Sequence, residues 1–179
     1  MKKYTLYQSD YIIENQDEII KDLNTAHANF KNAFPSQDSS LTATSQGYRL
    51  YNIFAITSPS PHFYQIYSEL RNLIREHFPT EKIWFQSWLN FHDENEVLGW
   101  HNHNWDYHGY ISIDPQDTNT VFEGYTIENK VGQIYLGPGG INHKVENISP
   151  FVGKRLTIGF DLLFEPWKPY AQFSLLPLL

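Results

Sequence analysis

Beyond Glu81 the chain changes period. From there to Phe164 it reads as short runs rich in Val, Ile, Trp, Phe and Tyr: KIWFQSWLNF, YHGYISI, NTVFEGYTI, GQIYLG and RLTIGFDLLF. They are separated by Asp-Pro, Glu-Asn-Lys and Gly-Pro-Gly-Gly. β-branched and aromatic side chains suit a pleated, half-buried surface, and the turn residues stop each run after a few positions. Several short strands in succession must cover one another's apolar faces, which they do as a sandwich, jelly roll or barrel. The 12 Tyr, 12 Phe and 5 Trp point the same way.

The segment before Glu81 has a helical period. Ile19, Ile20, Leu23, Ala26, His27 and Phe30 fall at helical spacing, with Asn15 or Asp17 as N-cap. Two Ser-Pro pairs from Ser58 open a second helix whose apolar face is Phe63, Ile66, Tyr67, Leu70, Leu73, Ile74 and Phe78, and Pro79 stops it. Between them, residues 35–48 are polar and turn-rich, a surface loop of lid length. With 179 residues the chain supports one well-buried core. The expected organisation is a single domain over 1–179: a helical scaffold over 1–80, a strand core over 81–165, and an apolar, Pro-broken tail over 166–179 strapped across it.

Charge and cysteine content narrow the chemistry. A net charge of -7 without a dense basic patch argues against constitutive nucleic-acid binding. No apolar run approaches the roughly 20 residues that span a bilayer, and the N-terminus has no apolar signal core, so a soluble, cytoplasmic protein is expected. With Cys 0 there is no disulfide, thiolate metal site or cysteine nucleophile, and a metal would need His, Asp or Glu.

Histidines supply the candidate ligands. His101, His103 and His108 lie in GWHNHNWDYHG, and His143 lies in GPGGINHKVEN. In an extended segment His-x-His points both rings to one side, because side-chain direction repeats every two residues. His143, from a distant strand, would complete a triangular face and leave the opposite positions open, as a catalytic metal site requires. Twelve residues later comes Arg155, then Thr157, at the start of RLTIGFDLLF. An arginine in a strand reading as core needs an anion, since an unpaired buried charge costs several kcal/mol.

The segment Trp88–Phe164 resembles the Fe(II)/2-oxoglutarate-dependent oxygenase superfamily, in particular its small prolyl-hydroxylase-like members. That pattern is a first histidine with a ligand two residues on, a glycine-bearing strand, a distal histidine, and an arginine roughly ten residues later in Arg-x-Ser/Thr. His101, His103, the strand HGYISI, His143, Arg155 and Thr157 occur in that order. The resemblance implies a mainly β fold, a double-stranded β-helix (jelly-roll) barrel with the N-terminal helices packed outside. It implies a dioxygenase that uses Fe(II), 2-oxoglutarate and O2 to hydroxylate a substrate that the motifs do not name. His101, His103 and His143 would be metal ligands and catalytic residues; Arg155 and Thr157, with Asn90 from the strand QSWLNFH, would bind the cosubstrate. Where the superfamily has Asp or Glu as second ligand this chain has His103, and Asp106 is the nearest alternative carboxylate.

A rival resemblance is to the cupins. Gly132, Pro138, Gly140, His143 and Asn147 match the second cupin motif position for position; in the first, His108 stands where Glu is usual, giving a four-histidine alternative. That reading leaves Arg155 without a role. A third possibility, from another class, is a non-catalytic ligand-binding jelly roll with aromatic rings stacked on its ligand. Trp100, Trp105 and Tyr107 would shape the mouth or pack the core. His27, His62, His77 and His92 are read as structural.

Overall fold

The computed structural model describes residues 4–33, 52–96, 98–164 and 174–175. The polar stretch at 35–48 and most of the tail lie outside them. In chain order the elements are β1 (Thr5–Gln8), α1 (Asp10–Glu14), α2 (Gln16–Ala33), α3 (Ile53–Ile56), α4 (Pro61–His77), β2 (Ile83–His92), β3 (Tyr107–Asp114), β4 (Thr118–Phe122), β5 (Tyr125–Glu128), β6 (Gln133–Pro138), β7 (His143–Asn147), β8 (Arg155–Phe164) and β9 (Ser174–Leu175).

The strands form two antiparallel sheets, a six-stranded one in the order β1-β6-β3-β8-β2-β9 and a three-stranded one in the order β5-β4-β7. The sheets face one another through Tyr110 and Tyr135 of the larger and Phe122 and Ile127 of the smaller. This is a mainly β, jelly-roll architecture, with strand neighbours distant in sequence except in the β4-β5 hairpin. No helix among the described residues is long and apolar enough to cross a membrane.

Alternation within the large sheet separates core from site. Phe85 and Leu89, Ile111 and Ile113, Ile134 and Leu136, and Ile158, Phe160 and Leu162 pack on the outer face with Phe63, Ile66, Leu70 and Ile74 of α4. Ser60 caps α4 by accepting from the Phe63 N–H at 3.2 Å, and Pro61 fills the first turn, where its missing N–H costs nothing. Residues of opposite parity turn inward. Paired rows therefore cross the sheet: Gln86, Asp161 and His108; Trp88, Gly159 and Tyr110; Asn90, Thr157 and Ser112; His92 and Arg155. A polar interior behind an apolar, helix-covered face is what positions a site here.

The N-terminal segment is not helical throughout. β1 adds to the sheet by pairing with β6, Thr5 opposite Leu136, and α3 is a single turn capped by Asn52. Ser174–Leu175 add to the other edge beside β2.

Candidate metal centre

The turn between β6 and β7 organises the histidines. Gly140 has φ +74°, a conformation glycine adopts without penalty. Its N–H donates to the His103 carbonyl at 2.6 Å, and the Gly139 N–H donates to the Asp106 carbonyl at 3.1 Å. A Cβ on Gly139 would overlap the Trp105 carbonyl, so only glycine lets the turn dock on the 103–106 segment. Three residues further on, His143 forms a bridge with His101, N–H to carbonyl both ways at 2.9 and 2.8 Å.

His101, His103 and His143 converge, one ring nitrogen of each within 4.8 Å of the others. His101 Nδ1 lies 2.8 Å from the Gly99 carbonyl and His143 Nδ1 lies 3.0 Å from the Ile141 carbonyl. A carbonyl only accepts, so both Nδ1 atoms carry the proton and both Nε2 atoms are bare. His103 Nδ1 faces Asp161 Oδ1 at 2.9 Å, which leaves its Nε2 for the same centre. Ring orientation fixed through the distal nitrogen is how metal-binding imidazoles are held. Burial lowers the pKa of His143 to about 4 and lowers that of His101 as well, so both are neutral, ligand-competent rings at pH 7. The donor set fits a divalent transition metal.

A cavity of about 410 Å³ opens onto these rings. Arg155, Thr157, Asn90 and Tyr110 line it together with the three histidines. Arg155 is 2 % exposed. Among the described residues it meets no carboxylate: Nη1 reaches His92 Nδ1 at 3.4 Å and Thr157 Oγ1 at 3.3 Å. Its Nε has no hydrogen-bond partner there, and burial lowers its pKa to about 10. Asn90 Nδ2 donates to Thr157 Oγ1 at 3.4 Å, and Trp88 Nε1 donates to Asn90 Oδ1 at 3.2 Å. The three residues expected to hold a cosubstrate thus share one wall, since β2 and β8 pair in register there.

Other expectations resolve differently. Asp106 turns away from the histidines, accepting from the Phe164 N–H at 2.8 Å. The carboxylate beside the rings is Asp161, fully buried on β8, which sequence reasoning passed over. His108 stacks on His103 at 4.4 Å and on His143 at 4.6 Å. His92, read as structural, is the partner of Arg155. Trp105 lines the cavity, whereas Trp100 stands 54 % exposed with Lys144 Nζ 5.1 Å from its ring. Tyr107 packs on Phe78 and Phe164, in the core. Asn147 donates to the Glu94 carbonyl, a structural role.

No family model matches the chain, and no curated protein matches it. Solved structures similar to it include a non-heme monooxygenase, ThoJ, as its Ni complex, at 7 % identity with a TM-score of 0.58, covering 90 % of this chain and 74 % of that one. The non-heme alpha-ketoglutarate-dependent epimerase SnoN from nogalamycin biosynthesis is similar at 9 % identity and TM-score 0.48, over 90 % and 76 % of the two chains. A cupin-2 domain protein from Shewanella frigidimarina aligns with 43 % of this chain and 69 % of its own at 19 % identity and TM-score 0.34. The likeness to the monooxygenase is one of fold.

Proposed function

We propose that the protein is an Fe(II)- and 2-oxoglutarate-dependent dioxygenase of the reducing cytoplasm that hydroxylates an organic substrate. The observation that carries this is Arg155. A guanidinium sealed in a sheet without an acidic partner among the described residues is an unfavourable arrangement, unless its anion arrives with a ligand. It opens on the same cavity as three ligand-competent imidazoles. A dicarboxylate has one group for each, a carboxylate for the metal face and another for the planar, two-pronged arginine.

In this reading His101, His103 and His143 hold the iron, and Arg155 with Thr157 grips the far carboxylate. When bound, iron and cosubstrate supply oxidative decarboxylation with O2, coupled to oxidation of a substrate C–H bond. The chain's own part is to fix geometry and to screen the centre from water. Asn90 orients Thr157, and Trp88 orients Asn90.

The test is a titration with 2-oxoglutarate in the presence of anaerobic Fe(II), read by the weak visible charge-transfer band that needs metal and cosubstrate in one site. Arg155→Ala removes a charge-assisted contact worth about 1.5–3 kcal/mol. Cosubstrate affinity should fall at least about tenfold while Fe(II) affinity barely moves. Equal affinities, or no binding by the wild type, would overturn the assignment. One observation favours a second reading, a cupin-type metal enzyme: His108 lines the same cavity as the three candidate ligands. That reading predicts metal uptake without 2-oxoglutarate binding.

A further inference from the structure

Aromatic rings connect the metal face to the protein surface. Phe122 lies 5.1 Å from the His143 ring and stacks on Tyr135 at 4.8 Å. His108 lies 4.6 Å from His143 and 5.5 Å from Tyr135. Tyr110, which lines the cavity, stacks on Tyr135 at 5.2 Å. Further out, the Tyr125 hydroxyl is 3.0 Å from that of Tyr135, and Tyr4 stacks on Tyr125 at 4.5 Å. Tyr110 and Tyr135 are buried, whereas Tyr125 and Tyr4 are half-buried and meet solvent. Each ring-to-ring step lies within the roughly 4.5–7 Å that aromatic contacts span.

Packing accounts for the rings but not for their hydroxyls. In the larger core the buried aromatic side chains are Phe54, Phe63, Phe85, Phe160 and Trp88, with no tyrosine among them. Beside the site phenylalanine would stack as well and bring no oxygen to satisfy, yet the Tyr110 oxygen has no partner of good geometry among the described residues. What a phenol adds to a benzene ring is the ability to give up an electron together with its proton. The chain has no cysteine and its one methionine is Met1, so tyrosine and tryptophan are the readily oxidised side chains near the centre. Trp88, stacked on His103 at 5.6 Å, is the rival donor.

We propose that Tyr110, Tyr135, Tyr125 and Tyr4 form a redox relay, which carries an oxidising equivalent from the metal centre to the surface when O2 or peroxide is reduced there with no substrate to oxidise. Tyr135, or Tyr110 through it, gives one electron to the oxidised iron, and Tyr125 replaces that electron. The proton of Tyr135 passes along the hydrogen bond to Tyr125 as the proton of Tyr125 leaves to surface water. In sum one phenolic O–H bond is broken at Tyr125. With hydrogen peroxide as oxidant, Fe(II), H2O2, one tyrosine and a proton give Fe(III), two waters and a tyrosyl radical. A reductant of the ascorbate or thiol class then restores the tyrosine by returning a hydrogen atom. Electron exchange between touching rings is fast beside a catalytic turnover of about 10 per second, so the relay spares the histidines that a retained oxidant would attack. The inference rests on the proposed oxygenase reading only for an iron held by His101, His103 and His143.

The experiment gives hydrogen peroxide to full-length Fe(II)-loaded protein in the presence of a nitroso spin trap. Electron paramagnetic resonance and peptide mapping then locate the trapped radical. Peroxide makes the centre an oxidant without 2-oxoglutarate, so the relay and the oxygenase reading fail separately. Wild type should carry the adduct on Tyr125 and Tyr4, and Zn(II)-loaded protein should carry none. Tyr135→Phe keeps the stacked ring, should bind Fe(II) as wild type does, and should lose the surface adduct. An undiminished adduct in that variant, an adduct on Trp88 in wild type, or no adduct at all would overturn the proposal. Should Tyr135→Phe not fold, wild type decides alone: Tyr64 is 69 % exposed and outside the cluster, and an adduct there equal to that on Tyr125 means a diffusing oxidant and no relay. Tyrosyl adducts without any 2-oxoglutarate binding sink the oxygenase reading and leave this one standing.

Discussion

Arg155 Nη1 points at His92 Nδ1 across 3.4 Å, and because a guanidinium only donates, His92 presents a bare Nδ1 and is neutral. Burial, then the charge of Arg155, lowers the His92 pKa to about 4. The ring therefore pins the arginine without neutralising it, and the positive charge is left for something else.

That depressed value makes stability depend on pH in a defined window. Between about 4 and the ordinary 6.5 the unfolded chain binds a proton at His92 that the folded chain refuses, so stability rises with pH across that range and is fully present above it. His27 and His143, also lowered to about 4 by burial, act in the same direction. Urea unfolding of metal-free protein should give a lower free energy at pH 5 than at pH 7. In His92→Gln the drop should be smaller by about one proton's share. An identical pH slope in the variant would mean that His92 titrates normally in the fold.

Gly139 offers a test of how the histidines are held. Its ideal Cβ position overlaps the Trp105 carbonyl and crowds that of His103. Backbone cannot rotate aside, so Gly139→Ala should shift the 103–106 segment, with a loss of stability of about 1–3 kcal/mol. Metal affinity should fall as well, although no ligand has been changed. A variant that melts like wild type and binds metal equally well would show that the turn does not position His103.

Much of this was legible in the sequence, and the remainder has physical reasons. The long runs gave β2, β3, β6 and β8, because hydrophobic alternation over six to ten residues leaves little choice of period. β1 was missed, and β7 was anticipated only as the strand carrying His143, without bounds: TLYQ and HKVEN are four and five residues of mixed polarity, and their pairing depends on partners more than a hundred and some twenty to thirty residues away. His101, His103 and His143 converge because one glycine turn docks between them, and Gly139-Gly140 was the visible sign of it. Asp161 was overlooked although the signal was present. Arg155, Thr157, Gly159 and Asp161 share a parity, so placing the arginine inside also placed the carboxylate inside. His92 was missed because its partner lies across a strand pair whose register no local pattern fixes.

The last prediction concerns Tyr110, which lines the same cavity as Arg155. The residue is buried, its ring stacks on Tyr135 at 5.2 Å, and among the described residues its oxygen has no partner of good hydrogen-bond geometry, Thr120 being the side chain that acts on it. Burial raises its pKa, so it is a neutral donor. A donor held in this way beside an unpaired guanidinium is placed to bind the same carboxylate. Tyr110→Phe keeps the ring and its stacking and removes only the oxygen. The ligand-free protein then loses an unsatisfied buried group, so its stability should stay level or rise by about 1 kcal/mol. Cosubstrate binding, in contrast, loses a hydrogen bond to a charged acceptor worth about 1.5 kcal/mol, roughly a tenfold weaker dissociation constant. Thermal melting with and without 2-oxoglutarate reads both quantities on one sample. A variant less stable than wild type would reveal a hydrogen bond in the resting protein, and unchanged affinity would confine Tyr110 to packing.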